Sequence, residues 1–295
     1  MDGPKLPDSA VAVRATGRLD TETGDRYRQD GFLSPLSVMS EAEMARHLAW
    51  LAEIEAKGAG RLAPTQNIKA HLLIPFLWEL VHNTRILDPV EDLLGPDLLC
   101  WAAGFFDKRP GEPHHVPWHQ DATYWGLSAP EALTAWVAFT PSLPANGCMR
   151  VSPCTHHALL PHADTGDRNA MLPGRERVLA EVDEASAVDI VLRPGEMSLH
   201  HVLLVHGSTP NLSGPRRCGQ AIRYIPAHLT TRAGWRASAT LVRGRDHGNF
   251  DLEQPPASAF DPTAVQRYGG IIRNWMRGVF DGISQNAHAR SDDRP

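Results

Sequence analysis

Several things are missing from this chain, and each absence closes a class of function. Its 295 residues contain no long uninterrupted apolar run, whereas a membrane-spanning helix needs about 18 or more such residues in a row. No cluster of lysine and arginine is present, and 29 basic against 34 acidic residues leave a net charge of −5. The basic footprint of a nucleic-acid binder is therefore lacking. The four cysteines, Cys100, Cys148, Cys154 and Cys218, show no C-x-x-C spacing, which argues against a thiol redox motif or a cysteine zinc site. The opening MDGPKLPDSA has neither the basic start nor the apolar centre of a signal peptide. A cytoplasmic protein with reduced cysteines is expected. With 42% hydrophobic and 21% charged residues, the chain has the composition of a folded globular protein and not of a disordered one. The expected partner is a small molecule, with no nucleic acid and no membrane.

Elements can be read from period and punctuation. Ser40 and Glu43 form a capping box ahead of Met44, Leu48 and Leu51 at helical spacing, which predicts a helix ending near Lys57, where Gly58 and Gly60 stop it. Further helices are predicted over Pro75–His82, with proline in the first turn, and over Pro89–Leu94. From Leu98 onward the pattern changes to short apolar or alternating runs bounded by Gly, Pro, Asn and Ser: Leu98–Phe106, Ala132–Phe139, Ala187–Leu192, Met197–Val205 and Gln220–Ile225. Strands do not alternate with helices here, so a parallel α/β fold is disfavoured. A last helix is predicted from Thr263 to Phe280, interrupted at Gly269-Gly270. The expected organisation is a flexible N-terminus (1–25), one domain (26–285) and a tail (286–295). Within the domain, N-terminal helices (40–95) pack on a β core (about 98–230), followed by a C-terminal segment (240–285). Arg243–Pro256 has no strand or helix period and is a candidate lid, with Phe250 as its apolar contact.

Histidine is unevenly distributed: nine of the fifteen fall between His114 and His206. Within that stretch, His119 and Asp121 stand two apart, so an extended strand would turn both side chains to one face. An imidazole and a carboxylate at that spacing are half of a two-histidine, one-carboxylate metal site. His206, ending the run Met197–Val205, is the best candidate for the third ligand. Taken alone, H-x-D fits equally well a carboxylate that hydrogen-bonds a histidine at a strand end. Downstream, Arg217 lies eleven residues beyond His206, and a hairpin of that length would return it to the same neighbourhood. A guanidinium there suits bidentate recognition of a carboxylate, and Ser208 could add a hydroxyl. The competing reading makes Arg216-Arg217 a solvated basic pair in a turn.

Together these segments resemble the phytanoyl-CoA dioxygenase family of Fe(II)- and 2-oxoglutarate-dependent oxygenases, in particular its bacterial small-molecule hydroxylases. The resemblance runs from about Tyr27 to about Phe280. It is carried by WHQD (118–121), Ala135-Trp136, NGCMRVSPCTHH (146–157), the RPGE turn (193–196) and HGSTPNLSGPRR (206–217), which occur in the family's order. It implies a double-stranded β-helix (jelly-roll, cupin-like) core with flanking helices. It also implies iron on His119, Asp121 and His206, with the far carboxylate of 2-oxoglutarate on Arg217 and Ser208 and Trp136 in the cosubstrate pocket. Dioxygen would be the second cosubstrate, with succinate and CO₂ released. Cys154 stands where the family usually has glycine. Asp121 favours hydroxylation over halogenation, because halogenating relatives replace that carboxylate with a small residue. Desaturation or cyclisation would use the same ligands. A non-catalytic jelly-roll binding protein is argued against by the intact ligand set, and a zinc hydrolase by Arg217, for which it would have no use. Tyr124 and Trp125 are candidate walls of the substrate pocket, and Lys108, Arg109, Arg150 and Arg223 are candidates for recognising an anionic substrate. His114, His115, His156, His157, His200 and His201 carry no assigned role.

Overall fold

A computed structural model describes residues 18–291, apart from 59, 173–175 and 233. Its strands are, in chain order, β1 Phe32–Ser37, β2 Leu98–Lys108, β3 Val116–His119, β4 Leu133–Ala138, β5 Met149–Val151, β6 His162–Asp164 and β7 Glu176–Val178. They continue with β8 Val188–Ile190, β9 Glu196–His201, β10 His206–Ser208, β11 Arg217–Pro226, β12 Ser238–Arg243 and β13 Asp251–Leu252. The helices are α1 Thr21–Asp30, α2 Glu41–Ala56, α3 Pro64–Asn67, α4 Pro75–Val81, α5 Thr84–Leu94, α6 Ala122–Trp125 and α7 Pro262–Ser291. A seven-stranded sheet, β1-β9-β4-β11-β2-β12-β13, faces a four-stranded sheet, β3-β10-β5-β8. This is the jelly-roll core that the family resemblance implies. No helix among the described residues is long and apolar enough to cross a membrane.

The large sheet is sorted by the period of two. On β9, β4, β11 and β2 one face presents Met197, Leu199, Leu133, Ala135, Val137, Ile222, Ala103 and Phe105. These join Met44 and Leu51 of α2, Leu77 and Leu80 of α4, and Ile86 and Val90 of α5 in one core. The opposite face carries Thr134, Trp136, His200, Arg217, Ala221, Arg223 and Phe106. That inner wall, together with β3 and β10, holds the site.

Several elements depart from expectation. The capping box at Ser40 forms as predicted, Ser40 Oγ accepting from Glu43 N while Glu43 returns a carboxylate to Ser40 N. Helix α5 starts at Thr84, capped by the Asn83 side chain, and carries Pro89 inside it. Its apolar spacing starts at Ile86 and Leu87 and continues to Val90, ahead of the proline from which the helix was expected to begin. Helix α1 and strand β1 were not expected from the sequence at all. Helix α7 runs through Gly269-Gly270 without a break and on to Ser291, because packing of Tyr268 and Ile272 into the core outweighs a cost of about 1 kcal/mol per glycine. The run Met197–Val205 is not one strand. β9 ends at His201, and His206 opens β10 in the other sheet. Of the flexible N-terminus expected over 1–25, residues 1–17 lie outside the described residues and α1 already begins at Thr21. Of the tail expected over 286–295, α7 continues to Ser291 and 292–295 lie outside the described residues. Cys154, where glycine is usual, keeps a left-handed backbone (φ +61°), a conformation that non-glycine residues adopt uncommonly.

The candidate lid is anchored. Phe250 is buried and packs edge-on against Trp101. Glu253 is buried in an ion pair with Lys69 (2.6 Å) and accepts hydrogen bonds from Ser238 and Thr240. Burial alone would raise the Glu253 carboxyl, but the Lys69 charge and the His71 hydrogen bond bring it down to about 2. Phe250 is therefore a core residue and not a substrate contact. The sequence misled here because a polar, aperiodic segment can be pinned at one aromatic and one carboxylate.

Candidate functional site

His119 and His206 are cross-strand neighbours on the antiparallel pair β3–β10, and their ring centroids lie 4.2 Å apart. Asp121 arrives by a different route from the one expected. β3 stops at His119, and Asp121 adopts helical geometry (φ −59°, ψ −34°) as the residue before α6. The turn at Gln120, not strand alternation, brings the carboxylate back beside the imidazole. Gln120 is held by Ala158 O, Leu203 O and Leu160 N. One ligand atom from each of His119, Asp121 and His206 lies within 4.8 Å of the others, and all three residues are buried.

The rings are oriented by their second nitrogens. His119 Nδ1 faces two carbonyls, Pro117 O (2.9 Å) and His206 O (3.0 Å). A carbonyl can only accept, so Nδ1 carries the hydrogen. His119 Nε2 then faces Asp121 Oδ1 at 3.4 Å. His206 Nδ1 donates in the same way to Leu204 O (2.9 Å). Fixing the tautomer through the outer nitrogen is how metal-binding histidines are held. Thr134 Oγ1 donates to Asp121 Oδ2 (3.1 Å). Burial opposes ionisation of Asp121, but the His119 hydrogen bond and the His206 and Arg223 charges outweigh it, so the carboxyl stays well below its usual range. Burial pushes His206 well below an ordinary histidine and His200 down to about 4. Two imidazoles and one carboxylate are a donor set suited to a divalent metal with open positions. His200, 4.6 Å from the His206 ring, lines the same cavity.

The other end of the cavity is cationic. Arg217 and Lys108 are direct cross-strand partners on β11 and β2, both fully buried. Like charges placed opposite one another destabilise a sheet, and no carboxylate reaches either of them among the described residues. Arg217 Nη2 donates to Gly147 O (2.8 Å), while its Nε is buried with no acceptor. Lys108 Nζ donates to Ser208 Oγ (2.5 Å) and to Thr209 O. Burial, then the Arg217 charge, lowers Lys108 to about 6, and burial lowers Arg217 to about 10. Gly147, in the left-handed region at φ +72°, turns its carbonyl to both cations. The Trp136 ring lies 5.3 Å from the Arg217 guanidinium. It fits only because residue 219 is glycine: a Cβ there would stand 2.1 Å from Trp136. An orphaned guanidinium nitrogen with a buried lysine directly opposite makes a receptor for a carboxylate.

Of the expected site residues, the structure brings together His119, Asp121, His206, Arg217, Ser208 and Trp136 around one cavity. Trp125 is buried at the edge of an adjoining cavity, and the side chain of Tyr124 lies outside those described. Arg150 is corrected. It alternates with Met149 and Val151 on β5, stacks on Trp118 and bonds Glu184 and Asp189 outside the cavity. Arg109 is likewise engaged, with Asp107 and Gly60 O. Arg216 is not a solvated partner of Arg217, since it binds Glu55 and Asp107 through paired hydrogen bonds and ties β11 to α2. His114 and His115 stand beside Glu112 and Asp167. Sequence reasoning missed Thr134, and it named Lys108 only as a possible substrate contact. The available signal was a lysine two residues beyond the apolar run Leu98–Phe106, at the end of the same strand.

A sequence profile described as phytanoyl-CoA dioxygenase matches residues 27–219. The peroxisomal phytanoyl-CoA dioxygenase of Bos taurus is 31% identical over 235 residues, which is 70% of this chain and 68% of that protein. A probable phytanoyl-CoA dioxygenase of Caenorhabditis elegans is 27% identical over 145 residues, 46% of either chain, so the match spans less than half of that relative. Among solved structures, the non-haem monooxygenase ThoJ in its apo form superposes with a TM-score of 0.79 at 35% identity, covering 89% of this chain and 99% of ThoJ. Its nickel complex superposes with a TM-score of 0.73 at 34% identity, over 88% and 99%.

Proposed function

The chain belongs to the phytanoyl-CoA dioxygenase family and is a 2-oxoglutarate-dependent non-haem iron dioxygenase; on that premise we propose that it hydroxylates a C–H bond of a small metabolite or biosynthetic intermediate. In this reading His119, Asp121 and His206 hold the iron, and Arg217, Ser208 and Lys108 hold the far carboxylate of 2-oxoglutarate. The observation that carries it is a single cavity with three converging metal donors at one end and Arg217 at the other, where Lys108 stands opposite Arg217 on β2 and donates to Ser208 of the cavity wall. When bound, iron(II), 2-oxoglutarate and dioxygen supply the oxidising chemistry, with one oxygen atom going to succinate as CO₂ leaves and the other going to the substrate.

The residues of this chain do the rest. The carbonyls of Pro117, His206 and Leu204 keep both imidazoles in the tautomer that directs Nε2 to the metal. Thr134 fixes the second oxygen of Asp121, which limits that carboxylate to one ligand direction. Lys108 and Arg217 cost free energy while buried without an anion, and a carboxylate between them relieves that cost. Trp136 walls the channel beside Arg217 and keeps water from it. The relative named as a monooxygenase supports an oxygen-insertion outcome.

The test has two parts. Wild type should bind nickel(II) or iron(II), and bind 2-oxoglutarate with the metal present, each by calorimetry under anaerobic conditions. It should then form succinate when a candidate substrate is added in air. Loss of metal binding in His119→Ala, with an unchanged circular dichroism spectrum, is expected. Metal binding that survives all three ligand substitutions would refute the assignment.

A further inference from the structure

A second cavity, of about 200 Å³, adjoins the first and shares Phe106, Asp121 and Arg223 with it. Its remaining walls are largely apolar: Trp125, Met171, Leu172, Trp275, Val279 and Ile68. Two other polar residues line it, and both are spent. Lys69 is paired with Glu253 (2.6 Å), and Asn67 is bonded through both side-chain ends to the Phe105 backbone (2.6 and 2.7 Å). Arg223 is different. It makes no hydrogen bond or ion pair among the described residues, and its guanidinium rests only over the Phe106 ring, 5.8 Å from the centroid. A second donor in the same wall is also unsatisfied, because Trp275 Nε1 is buried without an acceptor. Arg223 is only half-buried and its charge is felt by Asp121. Among the described residues, however, no side chain gives its guanidinium an acceptor, and with Trp275 Nε1 it leaves two donors in a mostly apolar chamber that a ligand bringing an acceptor would satisfy.

We propose that this cavity selects a substrate with a compact apolar body and one carboxylate, or an equivalent oxyanion, which Arg223 binds. This rests on the reading of His119, Asp121 and His206 as the metal site. Arg217 and Arg223 project from the same face of β11, six residues apart. At about 3.3 Å per residue their backbones are roughly 20 Å apart, so Arg223 does not share the carboxylate assigned to Arg217. Arg223 stands where the two cavities meet, beside Asp121. The anionic group therefore docks at the metal end, and the carbon that is oxidised lies within a few bonds of it. The apolar body extends toward Trp275 and Val279. The volume is below the roughly 300–1,000 Å³ of sites for drug-sized ligands, which limits the body to about one or two fused rings.

The same chemistry could come from the carboxylate of 2-oxoglutarate nearer the metal, and the experiment separates the two sources. The protein is loaded with nickel(II), an unreactive stand-in for iron, and saturated with 2-oxoglutarate. Benzoate, 3-phenylpropanoate and indole-3-acetate are then titrated by calorimetry, each against its own neutral amide. At least one acid should bind tenfold or more tightly than its amide. Arg223→Met should reduce that preference to less than threefold, Arg223→Lys should retain part of it, and affinities for nickel and 2-oxoglutarate should stay within twofold of wild type. If no acid is preferred to its amide in wild type, the proposal falls. It falls equally if Arg223→Met weakens 2-oxoglutarate as much as the acids, because Arg223 would then serve the cosubstrate. Should Arg223→Met fail to fold in a melting experiment, the wild-type preference and its partial retention in Arg223→Lys decide the matter. Failure of the underlying metal reading looks different: wild type would not bind nickel, or would bind 2-oxoglutarate independently of it.

Discussion

The two faces of the seven-stranded sheet are made by the same strands yet obey different rules. The outer face is filled by Leu133, Val137, Met197, Leu199 and Ile222, which pack under α2, α4 and α5 and satisfy one another. The inner face of those strands carries Thr134, Trp136, His200, Arg217 and Arg223, and Lys108 stands opposite Arg217. Among the described residues, Arg217 Nε and His200 Nδ1 are buried without a hydrogen-bond partner and no carboxylate pairs with Arg217 or Lys108. The first face stores stability, and the second gives some of it up to hold groups that only ligands complete.

That contrast can be broken by substitution, and the largest effect is expected at the donors. Asp121→Ala or His206→Ala should remove metal-dependent succinate formation altogether while leaving the melting temperature within a few degrees. Metal calorimetry beside thermal melting checks this, and full turnover by Asp121→Ala would overturn the ligand assignment. Next comes Arg217→Ala, which should weaken 2-oxoglutarate binding by about 2–5 kcal/mol, the usual loss for one partner of a buried charged pair. Its neighbour sharpens the point. Arg216→Ala should cost about 1–3 kcal/mol of stability through the stranded Glu55 and Asp107 and leave the cosubstrate dissociation constant unchanged. On the outer face, Leu199→Ala should lower unfolding free energy by about 2–5 kcal/mol, with unaltered 2-oxoglutarate affinity in the folded fraction. Denaturant titration paired with calorimetry separates these outcomes, and an altered affinity in Leu199→Ala would blur the two faces.

The smallest effect is a pH slope. Lys108 is lowered to about 6 by burial and by Arg217, so above that pH the amine is largely neutral. A bound carboxylate favours the ammonium and raises its pKa, and binding then takes up a proton. Affinity for 2-oxoglutarate should therefore be highest near or below pH 6 and fall a few-fold as pH rises to 8. Calorimetry in buffers of different ionisation enthalpy should register the uptake, and Lys108→Met should abolish it. A slope unchanged in Lys108→Met would assign the proton elsewhere.

Much of this site was legible because its chemistry is concentrated in short segments. The H-x-D pair, His206, and Arg217 eleven residues beyond it are all within 100–220 of the chain, and their residue types alone specify a metal and a carboxylate. Legibility failed wherever a residue's partner is distant. Arg150 looked available until β5 alternation turned it toward Glu184 and Asp189. Phe250 looked like a lid contact until Trp101 proved to be its neighbour. Arg216 looked idle until α2 supplied Glu55, more than 100 positions away.

By itself the sequence determined the ligand types, the capping of α2 and the class of the core, because donor chemistry, capping boxes and strand punctuation are local properties. Tertiary structure decided how the ligands meet. Asp121 reaches His119 by a turn before α6 and not along a strand face, and His206 arrives by opening a strand of the opposite sheet. It also decided that Lys108 faces Arg217 and that, among the described residues, no side chain gives Arg223 a hydrogen bond beside the mostly apolar chamber. Whether a buried charge is neutralised depends on which strands lie next to it, and that pairing is set by the closing of the two sheets over residues far apart in the chain.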